Sequence, residues 1–257
     1  MTHPKSDSAP TDSSPVSETP PSAGNGELEL PLTTADERPA EEVVPVPDPG
    51  IAIVAKAHEQ VARGETSAAL ATLRALLSRD PSHIGARAAL AGVLERRGDV
   101  EGALAELTRA LEVSPDELPL LLGRASLHMA RGRYDQAELD LRRAARVDER
   151  SADVHIQLGV LFCKRARWRE AIEPLRAAVA ADPDRADAHH YLGEAYNHID
   201  DLPAALASYE SATQLDPAHL RALKGIGIVL DRMGRPAEAA AAYRRARDAQ
   251  QRGVRGA

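Results

Sequence analysis

From residue 50 onward the small and apolar positions of the chain recur every 34 residues without an insertion or deletion. One column reads Ala69, Ala103, Ala137, Ala171, Ala205 and Ala239, and a second Leu73, Leu107, Leu141, Leu175, Tyr209 and Tyr243. A third reads Leu76, Ala110, Ala144, Ala178, Ala212 and Ala246. Steps of four and three residues separate these columns, which places them on one face of a helix. A fourth column, Pro81, Pro115, Glu149, Pro183, Pro217 and Gln251, stops that helix wherever it holds proline. A fifth, Gly64, Gly98, Gly132, Ala166, Asp200 and Gly234, marks a turn inside each unit. Glycine supplies a left-handed C-cap there, so the units with Ala166 and Asp200 are expected to close the turn differently. One helix fits between turn and stop, and another between that stop and the next turn. Each unit is therefore predicted to be a helical hairpin, which cannot bury its apolar face alone and must stack on its neighbours.

These columns resemble the tetratricopeptide repeat, whose pattern combines a Leu-Gly step, an aromatic, then alanine, an aromatic, alanine and proline. The clearest copies are Leu158-Gly159, Phe162, Ala171, Leu175, Ala178, Pro183 and Leu192-Gly193, Tyr196, Ala205, Tyr209, Ala212, Pro217; a third has Ile226-Gly227, Leu230, Ala239, Tyr243 and Ala246. The resemblance implies an all-α fold, a right-handed α-solenoid of six repeats at 50–83, 84–117, 118–151, 152–185, 186–219 and 220–253, followed by an extension at 254–257. Small residues at the helix crossings are expected to let the two helices approach closely. Polar residues interrupt the pattern in the first unit, at Lys56 and Gln60, and in the third, at Arg124 and His128. With Glu149 in place of proline, the third unit is the expected site of a local deviation or softer joint.

Composition changes the picture mainly at the N-terminus. Residues 1–49 hold ten of the 18 prolines, together with ten acidic and two basic residues, a net charge of -8. Such a segment cannot bury enough apolar surface to offset its ordering entropy, and a disordered acidic tail is predicted. The remainder carries a net +1 with dispersed charges and lacks the basic stripe that nucleic acid demands. No apolar run is long enough to span a bilayer, and no leader pattern is visible, so a cytoplasmic protein is expected. Arginine outnumbers lysine 28 to 4, a bias associated with bacterial genomes of high GC content. Cys163 stands alone, which excludes an intramolecular disulfide or cysteine-rich metal site.

Candidate chemistry is sparse. His190, Glu194 and His198 lie at i, i+4 and i+8 along one helical stripe, where they could act as ligand-like groups, but the expected role of the stripe is a polar groove lining. His155, His189 and Trp168 fall in columns that elsewhere hold Ile53, Leu121 and Leu202, and are expected to pack between helices. No phosphate loop, nucleophile elbow or metalloprotease helix is present. A non-catalytic protein without cofactor or metal is the expectation.

What the resemblance implies about function is a protein-binding groove lined by the first helix of each repeat. Its inward columns carry over to Leu122, Met129, Gln157, Lys164, His190, Tyr191, Glu194, Asn197, His198, Lys224 and Arg232. The first half of this groove is small and apolar and the second polar with several cations, matching an extended or helical partner segment that bears apolar and acidic residues. The asparagines of the chaperone-binding carboxylate clamp are absent from their columns. The alternative function is self-assembly, with copies stacking through their terminal repeats. In the tail, Leu28, Leu30 and Leu32 alternate with Glu27, Glu29 and Pro31 ahead of Thr33 and Thr34. This reads as an internal pseudo-ligand, a phosphorylation site or a plain solvating linker.

Overall fold

The structure, a computed structural model, describes residues 49–255, with side chains described as far as Arg252. The expected disordered tail, with its Leu28–Leu32 segment, lies outside the described residues but for Pro49. Among the described residues there are twelve helices and no strand. The first three hairpins are α1 (Pro49–Ala62) with α2 (Thr66–Arg79), α3 (Ile84–Arg96) with α4 (Val100–Val113), and α5 (Leu118–Ala130) with α6 (Tyr134–Val147). The second three are α7 (Ala152–Lys164) with α8 (Trp168–Ala181), α9 (Ala186–His198) with α10 (Leu202–Leu215), and α11 (Leu220–Arg232) with α12 (Pro236–Arg255).

The second helix of each hairpin packs on the first helix of the next. First helices also touch one another directly, α1 with α3, α5 with α7, α7 with α9 and α9 with α11, so they form the tighter, inner layer of a right-handed α-solenoid. No described helix is long and apolar enough to cross a membrane.

All six turns inside the hairpins close in the same way, which corrects the expectation for two of them. Gly64, Gly98, Gly132 and Gly234 have φ of 69–80°, and Ala166 and Asp200 join them at 54° and 70°. The reason lies in the backbone hydrogen bonds. The amide after the turn residue returns to a carbonyl five positions back, Asp99 to Leu94 at 2.9 Å, Arg167 to Phe162 at 2.9 Å and Asp201 to Tyr196 at 3.0 Å. This pairing satisfies carbonyls that a helix end otherwise leaves open. It holds Ala166 in a conformation that costs an alanine about 1 kcal/mol.

The alanine and leucine columns form the core. Ala69, Ala103, Ala137, Ala171 and Ala205 are fully buried, as are Leu73, Leu141 and Leu175. Close approach is most marked in the second half. A Cβ on Gly193 would stand 2.7 Å from the Tyr209 ring, and one on Gly225 in the next hairpin would stand 2.5 Å from the same ring. Tyr209 is thus clasped between two glycines that have no room for a methyl group.

The helices of the third hairpin are regular, but α5 packs less closely on α3 than the other first helices pack on theirs, so the expected softer joint lies there. α5 and α6 have 13 and 14 residues, like their counterparts α7 and α8. Arg124 reaches across it to Asp140, donating at 2.9 and 2.6 Å to the two carboxylate oxygens, and Asp140 is only 6% exposed. This fork pairs the Arg124 charge, while His128 Nδ1 stays buried without a partner among the described residues. Glu149 leaves α6 ending in the expected place, because Asp148 turns extended and its carboxylate accepts the Arg150 amide at 2.9 Å, without help from proline. At the other end Gln251 lets α12 run through the predicted boundary at 253 to Arg255.

His155 and His189 do more than pack. His155 Nε2 lies 2.9 Å from the Glu149 carbonyl and His189 Nε2 lies 3.0 Å from that of Pro183, in each case six residues upstream. Arg87, in the same column, donates to the Pro81 carbonyl at 2.9 and 2.6 Å. These side chains tie down the turn between hairpins by satisfying a carbonyl there. Further arginines link neighbouring hairpins over 32 residues: Arg133 to Glu101 at 2.7 Å, Arg185 to Asp153 at 2.7 Å and Arg232 to Asp200 at 2.6 Å.

Candidate partner-binding groove

The inner layer holds most of the predicted groove residues, but not all are available to a partner. Met129 is 8% exposed and packs with Ala125, Ala137, Leu141 and Leu161. Its flexible side chain fills the gap between α5 and α7, which removes it from the groove surface. Leu122 is half-buried against the same apolar cluster. Gln157 is also half-buried, and its Oε1 has no partner among the described residues. Lys164 is exposed at the end of α7.

Five predicted residues converge. His190, Glu194, Asn197 and His198 on α9 and Lys224 on α11 line one cavity of about 360 Å³, whose wall and floor are completed by Ile228, Gly225 and Tyr209. Lys224 and Ile228 are exposed on α11, one turn apart. Arg232 stands further along that helix and is already engaged by Asn197 and Asp200. Tyr191 lies behind the cavity, half-buried, beside a second cavity of about 410 Å³ that also contains Asp187, His190, His219 and Arg221.

The α9 histidines do not form a joint ligand set. His190 is 7% exposed, and its ring centroid lies 5.0 Å from that of Tyr191, 5.8 Å from Tyr209 and 4.9 Å from His219. Its Nδ1 is buried without a hydrogen-bond partner among the described residues. Burial, reinforced by His219 and Arg221, pushes the His190 imidazole down to about 4, so it is neutral at pH 7. His219 caps α11 by accepting the Ala222 amide on Nδ1 at 3.1 Å. His198 turns the other way and stacks on Trp168, with ring centroids 3.7 Å apart and planes 4° from parallel. Trp168 is half-buried rather than enclosed, because it serves as this platform as well as packing near Cys163 and Leu175. Cys163 is buried, and desolvation followed by the Glu194 charge pushes its thiol up to about 12.

Arg221 also lines the cavity, and the repeat pattern does not mark it, since its column otherwise holds Ile51, Gly85, Pro119, Asp153 and Asp187. The signal that reveals it is local: it stands three residues before Lys224, on the same helical face. Tyr209, a member of the Leu/Tyr column, also floors the cavity.

Two family models described as tetratricopeptide repeat match this chain, one over 60–127 and 96–156 and the other over 158–219 and 199–254. The chain belongs to the tetratricopeptide-repeat family. Among solved structures, this tetratricopeptide-repeat chain is similar to MamA, with 24% identity over 65% of this chain and 97% of that one and a TM-score of 0.59. It is also similar to YrrB, described as a TPR protein with an unusual peptide-binding site, with 21% identity over 70% and 92% of the two chains and a TM-score of 0.56. A third is pilF of Pseudomonas aeruginosa, with 20% identity over 75% and 87% and a TM-score of 0.67. At these identities the likeness is one of fold. No curated protein matches the sequence.

Proposed function

We propose that this protein is a cytoplasmic, non-catalytic bacterial scaffold of six 34-residue repeats, which binds a segment of a partner protein along the inner layer of its solenoid. The observation that carries this reading is the cavity between α9 and α11. It places an apolar side chain, Ile228 at 46% exposure, next to the ammonium of Lys224, which has no ion pair among the described residues, over an aromatic floor. Exposed apolar surface beside convergent polar groups is what a recognition site offers. A partner segment combining apolar and acidic residues complements it.

End-to-end stacking of copies is less favoured by the residues at the C-terminal end. Arg247 stands exposed on α12 in the column that holds Leu77, Leu111, Ala145, Val179 and Thr213 in the inner hairpins. A further hairpin seated there would bury its guanidinium, which has no ion pair among the described residues, at a high desolvation cost. We therefore propose a monomer that acts through its groove.

The test is affinity capture from a bacterial lysate with the wild-type chain and a Lys224→Glu, Ile228→Arg variant. Both side chains are exposed, so the variant keeps its helical circular dichroism. Loss of the captured protein with the variant is the expected result. Equal capture by both chains overturns the groove reading.

A further inference from the structure

Charge is unevenly shared between the last two hairpins. The fifth, residues 186–219, holds six acidic residues and no lysine or arginine, whereas the sixth, 220–253, holds eight basic and three acidic residues, a net +5. Four of those eight lie on α12. Arg244, Arg245, Arg247 and Arg252 are all exposed, while Ala239, Ala242, Ala246 and Ala249 bury the side of the helix that packs on α11. The helical repeat puts Arg244 and Arg247 on one flank of the exposed face and Arg245 and Arg252 on the other, with Asp248 between the two rows. Among the described residues Arg244, Arg245 and Arg247 have no hydrogen bond or ion pair, and Arg252 reaches only the Asp248 carbonyl, at 3.3 Å. Arg235, just before α12, is by contrast held by Glu238 at 2.7 Å.

Guanidinium groups only donate, and two rows of them suit a chain of anions. The surroundings decide which chain. A membrane or a nucleic-acid duplex extends well beyond one helix, and past α12 it meets the carboxylates of the fifth hairpin. Glu210 on α10 is near enough to help hold Arg235 in its charged form. The face of α12 also offers nothing to insert between lipids or stack on bases. Its exposed apolar residues are Pro236, Ala237 and Ala240, and its one aromatic, Tyr243, is half-buried with its hydroxyl donating to Asp231 at 2.9 Å. A single extended run of carboxylates, laid between the two arginine rows, meets the positive charge and avoids the acids of the neighbouring hairpin.

We propose that the exposed face of α12 docks an extended acidic segment of a partner protein, received by Arg244, Arg245, Arg247 and Arg252. This surface is separate from the groove between α9 and α11 and does not depend on it.

Fluorescence anisotropy with the full chain tests the proposal, using two labelled peptides in which either glutamate or glutamine alternates with serine. A single-stranded oligonucleotide of similar charge and vesicles of phosphatidylcholine with phosphatidylglycerol serve as further probes. The glutamate peptide is expected to bind at least about tenfold tighter than its glutamine twin, a preference that shrinks as salt rises. Changing all four arginines to glutamine should remove that preference, and because the four are exposed the variant keeps its helical circular dichroism. Asp248→Asn should strengthen it, and the Lys224→Glu, Ile228→Arg variant should retain it. Equal binding of the two peptides, or an undiminished preference in the four-arginine variant, overturns the proposal. Tighter binding of the oligonucleotide or the vesicles through the same arginines overturns the assignment to an acidic protein segment. Residues 1–49 are themselves acidic, with a net charge of -8, so a full-length chain with their ten acids changed to amides is measured alongside. Glutamate binding that appears only in that chain makes the protein's own acidic residues the occupant and overturns the assignment to a partner.

Discussion

Ala166 and Asp200 hold left-handed conformations at positions where the other four hairpins use glycine. Asparagine and aspartate tolerate this region through local hydrogen bonding, whereas alanine has only its Cβ clash to contribute. Ala166→Gly is therefore expected to raise stability by about 0.5–1 kcal/mol in urea denaturation, since nothing packs on this exposed methyl that glycine would lose. His190 gives a second prediction at this scale. Its imidazole is depressed to about 4 in the folded chain by burial, then by His219 and Arg221, with Asp187 opposing, against about 6.5 when unfolded. Between those values the unfolded chain binds the extra proton, so stability falls as pH drops below about 6.5, by at most about 1.4 kcal/mol per pH unit, and levels off near pH 4. A His190→Leu variant should show a flatter stability profile across that window. An unchanged slope would mean that His190 does not set it.

At the scale of elements, the helical hairpin tolerates two solutions at the same crossing. The fourth and fifth hairpins place Leu158 and Leu192 where the third places Arg124, and Pro174 and Ser208 where it places Asp140. Removing one half of the Arg124–Asp140 fork leaves a charge largely out of water, and Asp140→Ser or Arg124→Leu alone is expected to cost about 3 kcal/mol. Replacing both, Arg124→Leu with Asp140→Ser, copies the fifth hairpin and should recover most of that loss. Equilibrium denaturation of the single and double variants reads the coupling directly. The hairpin columns were legible in the sequence because a 34-residue period repeats the same helical face. The fork was not, because Arg124 and Asp140 look like two separate violations of the pattern until the fold sets them side by side.

Across the whole molecule, stability is expected to be unequal along the array, as each hairpin contacts only its neighbours. α1 buries only Gly50 and Ala57, whereas α11 buries seven residues, from Ala222 to Leu230. Native-state hydrogen exchange should therefore show amides of α1 and α2 opening faster than those of α9 to α11, and a uniform exchange rate would contradict a locally coupled array. The arginine links from hairpin to hairpin are half-exposed and individually worth about 0.2–1 kcal/mol, so high salt should modulate this gradient rather than abolish it. The well-packed second half is also where the candidate groove lies, which gives the cavity between α9 and α11 a rigid frame.

The sequence alone determined the period, the helical faces, the turn and stop positions and thereby the solenoid, because each of these depends on residues within one 34-residue unit. It also pointed to His190, Glu194, Asn197, His198 and Lys224 on the inner helices. Tertiary structure decided the rest. It buried Met129, turned His198 onto Trp168, brought Arg221 and Tyr209 to the cavity, and tied Arg232 to Asn197. These outcomes depend on distances between side chains of different helices, which no column of the repeat records. The left-handed turns at Ala166 and Asp200 follow the same logic: local preference argued against them, and the hydrogen bonds that close the hairpin outweighed it.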